Sequence, residues 1–353
     1  MWFKHTGLSR NRGVSLLLYN MSIIWKAKSK EGFCVKLLSE LLSNISKFPP
    51  FKVSDRGLFL RTTDQAREIL IDLALPRENF TVFKCPKPLY FIVNSGHFYR
   101  LLKTIKKKDA VTMFINEHRP MQLGICVEQN DEKADKVITY INITYVQPEE
   151  IDLPEGYENP IIVTAKSFQK LKTLHSIGAE MKVTVVGNSS IKCFVNGKDL
   201  FSREICLGEE TDEDTDEEED SRKIFTQTLA TSHITQLTKC AGQSGNIQVF
   251  HHDELPLQIK MRTGTLGTLT VYIKSKELID QLEEEPDEVE DELEGISGGV
   301  AKIEMIGNEP ETEENEAEVE EPDEEEAEAE EEIEEEVEAE ALPPSKKKSG
   351  RHH

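Results

Sequence analysis

The sequence predicts an α+β protein of two similar domains, each with paired short helices and antiparallel sheets, followed by a disordered acidic C-terminal tail. Three observations carry this expectation. From Ile23 to Lys276, short stretches with apolar residues at helical spacing alternate with period-two strand patterns. That alternation begins again near Ser167. From residue 281 onward the chain is mostly Glu, Asp, Ala and Pro, with too little apolar surface to offset its chain entropy.

The elements follow in order. Phe33–Ile45 reads as a helix, because Val35, Leu38, Leu41, Leu42 and Ile45 fall on one face. Phe51–Val53, a turn at Asp55–Gly57, Leu58–Leu60 and Ile69–Leu75 read as strands and their connection. Tyr90–Val93 is a strand, His97–Ile105 a short helix, and Val111–Ile115, Gln122–Glu128 and Val137–Tyr145 are strands. The second round has a helix at Ser167–Ser176, a strand at Lys182–Val186, a turn at Gly187–Ser190 and a strand at Ile191–Val195. After an acidic run come a strand at Ile224–Ala230, a short helix at His233–Cys240, and strands at Ile247–His251, Leu257–Arg262 and Thr268–Ile273. Leu101-Leu102-Lys103 and Leu237-Thr238-Lys239 each end a short helix. Each Lys lies the same distance before a Pro-x-Gln-aliphatic strand start, at Pro120–Leu123 and Pro256–Ile259. Two matches in one order and register indicate a duplicated domain.

The expected boundaries are therefore an N-terminal extension at 1–22, a first domain at 23–145, a linker at 146–160, a second domain at 161–280 with an acidic loop at 208–221, and the tail at 281–353. The linker's stretch Val146–Tyr157, with two Pro, one Gly and the isolated aliphatics Ile151 and Leu153 among acids, reads as extended chain. The extension holds Lys4, Arg10 and Arg12 before the first acid, Glu31. It reads as an upstream addition with Met21 as working start, or else as a targeting peptide.

The formal charge of −24 is unevenly placed. Glu283–Leu342 holds 31 acids and one Lys, which leaves 35 acids against 37 Lys and Arg up to Leu282. Ten of those acids lie in Glu209–Asp220, so the remaining body is basic and suited to a polyanion despite the acidic total. Six cysteines are scattered without a CxxC pair or clustered His, which argues against a disulfide framework or a zinc site and fits a reducing intracellular compartment. No apolar run is long enough to span a membrane. The nine His are dispersed, no Gly-rich phosphate loop occurs, and carboxylates cluster only in runs without fixed geometry, so no catalytic constellation, cofactor or metal is expected.

The strand signature Asp55-Arg56-Gly57-Leu58-Phe59-Leu60 followed by Asp64, the linker Ile151-Asp152-Leu153-Pro154, and the helix Phe168-Gln169-Lys170-Leu171-Lys172 running into Ser176-Ile177-Gly178 occur in one order. Thr238-Lys239-Cys240-Ala241 and Gly267-Thr268-Leu269-Thr270-Val271-Tyr272-Ile273 follow. With these residues the chain resembles the proliferating cell nuclear antigen family of DNA sliding clamps, from about Ile24 to Lys276. The resemblance implies a DNA clamp fold, closing head to tail as a homotrimer around duplex DNA with sheets outside and helices lining the hole. Such a protein is a polymerase processivity factor and not an enzyme. It works in the nucleus or at a viral replication site with a clamp loader, DNA polymerase and other clamp-binding peptides as partners.

Residue roles carry over by matched position. Lys36, Arg100, Lys103, Lys170, Lys172 and Lys239 are expected to face DNA, where sliding needs diffuse attraction to phosphate and no base readout. For any one of these lysines alone, solvation of a helix is the simpler role. The triplet Lys106–Lys108 at a helix end reads as dipole complement and solubility charge. Where relatives carry further inward lysines, Lys36 is followed here by Leu37, and later by Ser43, which implies a less basic channel.

The peptide groove under the linker is expected from Thr63, Arg67, Leu70, Ile151, Leu153 and Pro154 on one side and Pro256, Tyr272, Ile273, Lys274 and Ser275 on the other. Ile151 and Leu153 could equally serve to pin the linker to its own sheet. Lys274-Ser275 replaces a small residue and a proline, and Arg67 stands where histidine is usual. The subunit interface is expected at Tyr140 and at Ile191, Cys193 and Val195. Two other readings stand beside the homotrimer: a monomeric or hetero-ring clamp relative, as in checkpoint-type or viral processivity factors, and an acidic histone-chaperone-like protein whose tail is the working part. Divergence, extension and tail point to a large DNA virus or an unusual eukaryote.

Overall fold

The computed structural model describes residues 23–129, 136–148, 150–186, 190–197, 201–208 and 224–284. The expected N-terminal extension, residues 187–189 of the expected turn, the acidic run at 209–220 and the expected tail from 285 onward lie outside the described residues. The described residues all belong to one compact unit.

The first half runs β1 (Ile23–Ser29), α1 (Gly32–Ile45), β2 (Pro50–Ser54), β3 (Gly57–Thr63), β4 (Ile69–Pro76), β5 (Val82–Lys84), β6 (Leu89–Val93), α2 (Ser95–Leu102), β7 (Ala110–Asn116), β8 (Arg119–Glu128) and β9 (Val137–Tyr145). The second half runs β10 (Ile161–Thr164), α3 (Ala165–Gln169) continuing as a 3-10 turn over Lys170–Leu174, β11 (Glu180–Val186), β12 (Ser190–Gly197) and β13 (Phe201–Gly208). It ends with β14 (Ile224–Ala230), α4 (Thr231–Thr235), α5 (Thr238–Ala241), β15 (Asn246–Phe250), β16 (Leu257–Thr263), β17 (Gly267–Ile273) and α6 (Lys276–Glu284). The fold is thus α+β, with large antiparallel sheets and few short helices, as in a DNA clamp.

The same strand order occurs twice. β1, β7, β8 and β9 pair in that order, and so do β10, β15, β16 and β17. Likewise β6-β2-β3-β4 in the first half has its counterpart in β14-β11-β12-β13. The arrays join unequally. Ile143–Tyr145 of β9 pair with β6, which fuses the two arrays of the first half. β4 pairs with β17 from Ile69 to Ala74, which carries the sheet into the second half and makes it thirteen strands wide. β14 instead ends its four-stranded sheet, and α6 packs against it.

The inward residues alternate along each strand, as a sheet with one covered face requires. β1, which the sequence pattern left undivided from its surroundings, buries Trp25, Ala27 and Ser29 and turns Lys26 and Lys28 outward. The apolar face of α1 is buried as its periodicity predicts, each large aliphatic contributing about 1.5–3 kcal/mol before entropy is subtracted. Leu37 is buried too, because α1 packs on α2 at one flank and on α5 of the other half at the other. Cys240 of α5 donates to the Leu37 carbonyl at 3.6 Å. One apolar cluster runs through both halves, with Phe51 stacked on Phe91 at 5.6 Å near its centre. At the β2–β3 turn Gly57 has φ 148°, and a Cβ there would meet the Leu75 carbonyl oxygen at 2.3 Å, so only glycine closes it.

Two helices expected as single pieces are divided. Ser167–Ser176 begins at Ala165 and tightens to 3-10 from Lys170, and His233–Cys240 is split into α4 and α5 around Gln236–Leu237. Strands β1, β5, β10 and β13 and helix α6 had no separate place in the sequence pattern. β5 and β10 are three and four residues long, too short for a period to register.

Candidate functional site

Three surfaces hold the residues singled out from the sequence. The first is the helix layer. Asn94 caps α2 by accepting the His97 N–H at 2.9 Å, and Ser95 ties its start to the end of α1 through the Ser46 carbonyl at 2.6 Å. This junction forms a depression lined by Asn44, Lys47, His97 and Arg100. On the other flank of α1 a second depression gathers Glu40, Asn44, Lys172, His175 and Lys239. Arg100, Lys172 and Lys239 therefore lie along the C-terminal half of α1, and Lys170 is exposed one turn position away from Lys172. Lys36 and Lys103 line neither depression. Lys36 is half-buried with its Nζ 5.7 Å from the Phe33 ring, and Lys103 is half-buried at the end of α2. Lys239 is ion-paired to Glu40 at 2.9 Å, which removes much of the net positive charge there. Lys47, His97 and His175 were missed in the sequence because none lies at a repeated position.

The second surface is the sheet face beneath the linker. Pairing registers put Thr63, Leu70, Tyr272, Gln258 and Phe250 in one row across five strands, hence on one face. The linker residue Tyr157 lies over this row, its ring 6.2 Å from both Tyr272 and Phe250, and its hydroxyl donates to the Pro256 carbonyl at 2.7 Å. Burial pushes the Tyr157 and Tyr272 hydroxyls above their ordinary range, so both stay neutral: Tyr157 donates to Pro256, and Tyr272 accepts from the Gln258 amide at 3.4 Å. Arg61, held by Asp72 at 2.6 Å, donates to the Ile151 carbonyl at 3.0 Å. Ile151, Leu153 and Pro154 are half-buried. The linker is thus fastened to its own sheet at both ends of the row.

Ile273 does not belong to this face. It is fully buried, and strand alternation turns it to the core opposite Tyr272. Lys274 and Ser275 lead out of the row. The Lys274 N–H donates to the Glu68 carbonyl at 2.9 Å, and the Ser275 hydroxyl accepts the Leu278 N–H at 3.2 Å at the start of α6. Arg67 sits in the β3–β4 turn with φ 58°, a left-handed conformation that costs a non-glycine residue about 1–2 kcal/mol. Tyr157, Phe250, Gln258 and Arg61 were not found from the sequence. Strand register alone brings Phe250 and Gln258 into the row and sets Arg61 in the neighbouring one, opposite Asp72.

The third surface is a pair of open strand edges. β9 pairs with β8 over Val137–Asn142 and has no second partner there among the described residues. Tyr140 lies on this segment, packed edge-on to Phe114 at 6.1 Å and covered by Arg119 at 4.5 Å. Ile191, Cys193 and Val195, by contrast, are not at an edge. They sit in β12 between β11 and β13 and are at most 2% exposed, and burial pushes the Cys193 thiol up to about 12. The open edge of that sheet is β13, where Phe201 is 57% exposed. The sequence pattern hid β13 because only Ile205 and Leu207 of its eight residues face inward.

Among the described residues no group of three or more His, Cys, Asp or Glu could hold a metal ion. No described helix is long and apolar enough to cross a membrane.

Residues 24–147 match the family model described as proliferating cell nuclear antigen, N-terminal domain. A probable DNA polymerase sliding clamp of Paramecium bursaria Chlorella virus 1 is 20% identical over 267 residues, covering 71% of this chain and 97% of that protein. Proliferating cell nuclear antigen 2 of Plasmodium falciparum is 22% identical, covering 65% of this chain and 88% of its own length. The DNA polymerase sliding clamp of Pyrococcus furiosus is 23% identical, with 67% and 94% covered. With these matched lengths and the shared motifs, the chain is similar to the proliferating cell nuclear antigen family of DNA polymerase sliding clamps.

Proposed function

We propose that this protein is a DNA polymerase processivity factor: three copies close head to tail around duplex DNA, helices inward, and dock replication and repair proteins through the face beneath the linker. Its domains would be residues 23–145 and 161–280, joined by 146–160. The observation that carries the reading is the pair of unlike open edges, β9 at Val137–Asn142 and β13 at Phe201–Gly208. An unlike pair makes a heterologous contact, which closes into a ring when the rotation per subunit divides a full turn. Val137, Tyr140 and Phe201 are three of the eight large apolar side chains exposed among the described residues, and these three lie on the two edges. The helix-layer cations would supply attraction to phosphate, and a clamp loader would open the ring. The site of action would be the nucleus or a viral replication compartment.

Light scattering of the full chain at micromolar concentration tests assembly, with a mass three times that of the chain expected. A monomer at every concentration would favour a monomeric or hetero-ring relative. Processive synthesis by a cognate polymerase on primed circular template then tests the function. Full activity of the acidic tail alone would favour the chaperone reading.

A further inference from the structure

One end of the β1–β7–β8–β9 array is ringed by lysines. Ser29 at the end of β1 pairs with Val111, Ala110 at the start of β7 pairs with Glu128, and Val127 pairs with Val137 at the start of β9. The residues just beyond these ends therefore stand side by side: Lys30 after β1, Lys107 and Lys108 before β7, and Lys136 before β9. Lys28 joins them on the outward face of β1. Glu128 serves two of them at once, Lys28 at 2.6 Å and Lys136 at 3.2 Å. Lys30, Lys107 and Lys108 are exposed, and no ion pair ties them to an acid among the described residues. Farther across, Lys26 faces Lys84 directly in the β1–β5 pair, a like-charge opposition that is unfavourable unless an anion lies over it.

The same chain holds an acidic run that the sequence places between two described strand ends, Gly208 and Ile224. Glu209–Asp220 carries ten acids and no base, and it starts directly after Gly208, the last residue of the open edge strand β13. Gly208 is in register with Ser190, Ser190 with Val186, and Val186 with Ile224, so the excursion leaves and returns at one end of that sheet. If β13 adds antiparallel to the neighbour's β9, as every strand pair in this molecule does, the C-terminal end of β13 comes beside the N-terminal end of β9. That places the start of the run next to the neighbour's Lys136. Fifteen residues going out and back reach roughly 20 Å, about the four strand spacings from β9 to β5.

We propose that this lysine rim is a docking site for the acidic run Glu209–Asp220 of the adjacent subunit, an electrostatic clasp across each ring joint. The proposal rests on the ring reading. It also gives the triplet Lys106–Lys108 a role beyond solubility.

The test uses the full chain. Isotopically light and heavy subunits are mixed, allowed to exchange, and treated with a zero-length carbodiimide that joins amines to carboxylates. Mixed-isotope peptides linking the run to Lys30, Lys107, Lys108 or Lys136 are expected. In parallel, ring dissociation is measured by sedimentation for wild type, for Lys30→Glu/Lys107→Glu/Lys108→Glu, and for a variant with the run's acids changed to Asn and Gln. Each variant should weaken the ring about tenfold at low salt and much less at high salt, since exposed charges are screened. A ring whose stability neither variant changes, or links formed only between like isotopes, would overturn the clasp and leave the ring standing. A monomer at all concentrations would overturn both. Loss of duplex binding by the lysine variant with ring stability unchanged would assign the rim to phosphate and overturn the clasp.

Discussion

At the residue scale, the peptide face depends on which side of a strand each side chain takes. Leu153 and Leu70 are half-buried on the face under the linker and Tyr272 is buried there beneath Tyr157, whereas Ile273, one residue on, is core. Ile273→Ala should thus destabilise the subunit by about 2–5 kcal/mol, as other buried truncations do, read as a lower denaturant midpoint. Leu153→Ala should leave the midpoint nearly unchanged and weaken a polymerase-derived peptide roughly tenfold in titration calorimetry. Tyr157 separates two contributions. Tyr157→Phe loses only the hydrogen bond to Pro256, about 1 kcal/mol, whereas Tyr157→Ala also uncovers Tyr272 and Phe250. Equal affinities for the two variants would mean that the ring over the row plays no part in recognition.

At the element scale, the proposed assembly turns on the two open edges. Phe201→Asp on β13 should shift the light-scattering mass from trimer to monomer without lowering the thermal midpoint. Cys193→Ser on β12 should do the opposite, because it buries a hydroxyl between two paired strands. A trimer that survives Phe201→Asp at nanomolar concentration would exclude β13 as the joint. The second unlike element is α6, which lies on β14 where the first half has the β6–β9 pair. Burial tends to raise the Glu277 carboxyl, but the Thr228 N–H, donated to Glu277 at 2.9 Å, outweighs it and holds the carboxyl below its ordinary range. A lowered value means the contact contributes fully above about pH 4.3 and fades as pH falls through the lowered value. These elements also show why the sequence was legible only in part. α1, β4 and β9 carried strong periodicity and were found within a residue or two of their ends. β13 has an exposed, charged face and lies beside the acidic run, so no pattern marked it, and its neighbour β12 took its place. α6 did carry a signal, Ser275 followed by Glu277 in a first turn, but the acidic tail's composition masked it. The groove's row needed strand register, which no local window contains.

At the scale of the whole molecule, charge is segregated: acids lie in the run and the tail, and cations lie on the helix layer and the lysine rim. The helix layer is nevertheless tempered by one carboxylate, since Glu40 lies 2.9 Å from Lys239 in the depression that also holds Lys172 and His175. Glu40 is itself only 19% exposed, so this pair is screened less than a surface pair would be. On the proposed ring reading, such tempering would limit how tightly phosphate is held. Glu40→Gln keeps the shape and hydrogen-bonding capacity of the side chain while removing its charge. The variant should bind duplex DNA more tightly at low salt, by roughly the half to one kcal/mol typical of a partly exposed pair, or about two- to fivefold. Its dependence on salt should steepen toward one further phosphate contact, about 0.9 in log K per log salt. Arg100→Ala/Lys170→Ala/Lys172→Ala should flatten the same slope by up to three such contacts while ring mass is kept. The measurement is duplex binding by fluorescence anisotropy across a salt series, on a circular or end-blocked template so that a threaded ring is retained. If Glu40→Gln and the triple variant both give the wild-type slope, the helix layer does not face DNA. The cations that hold the duplex would then have to be sought on another surface, with the lysine rim as the first to test.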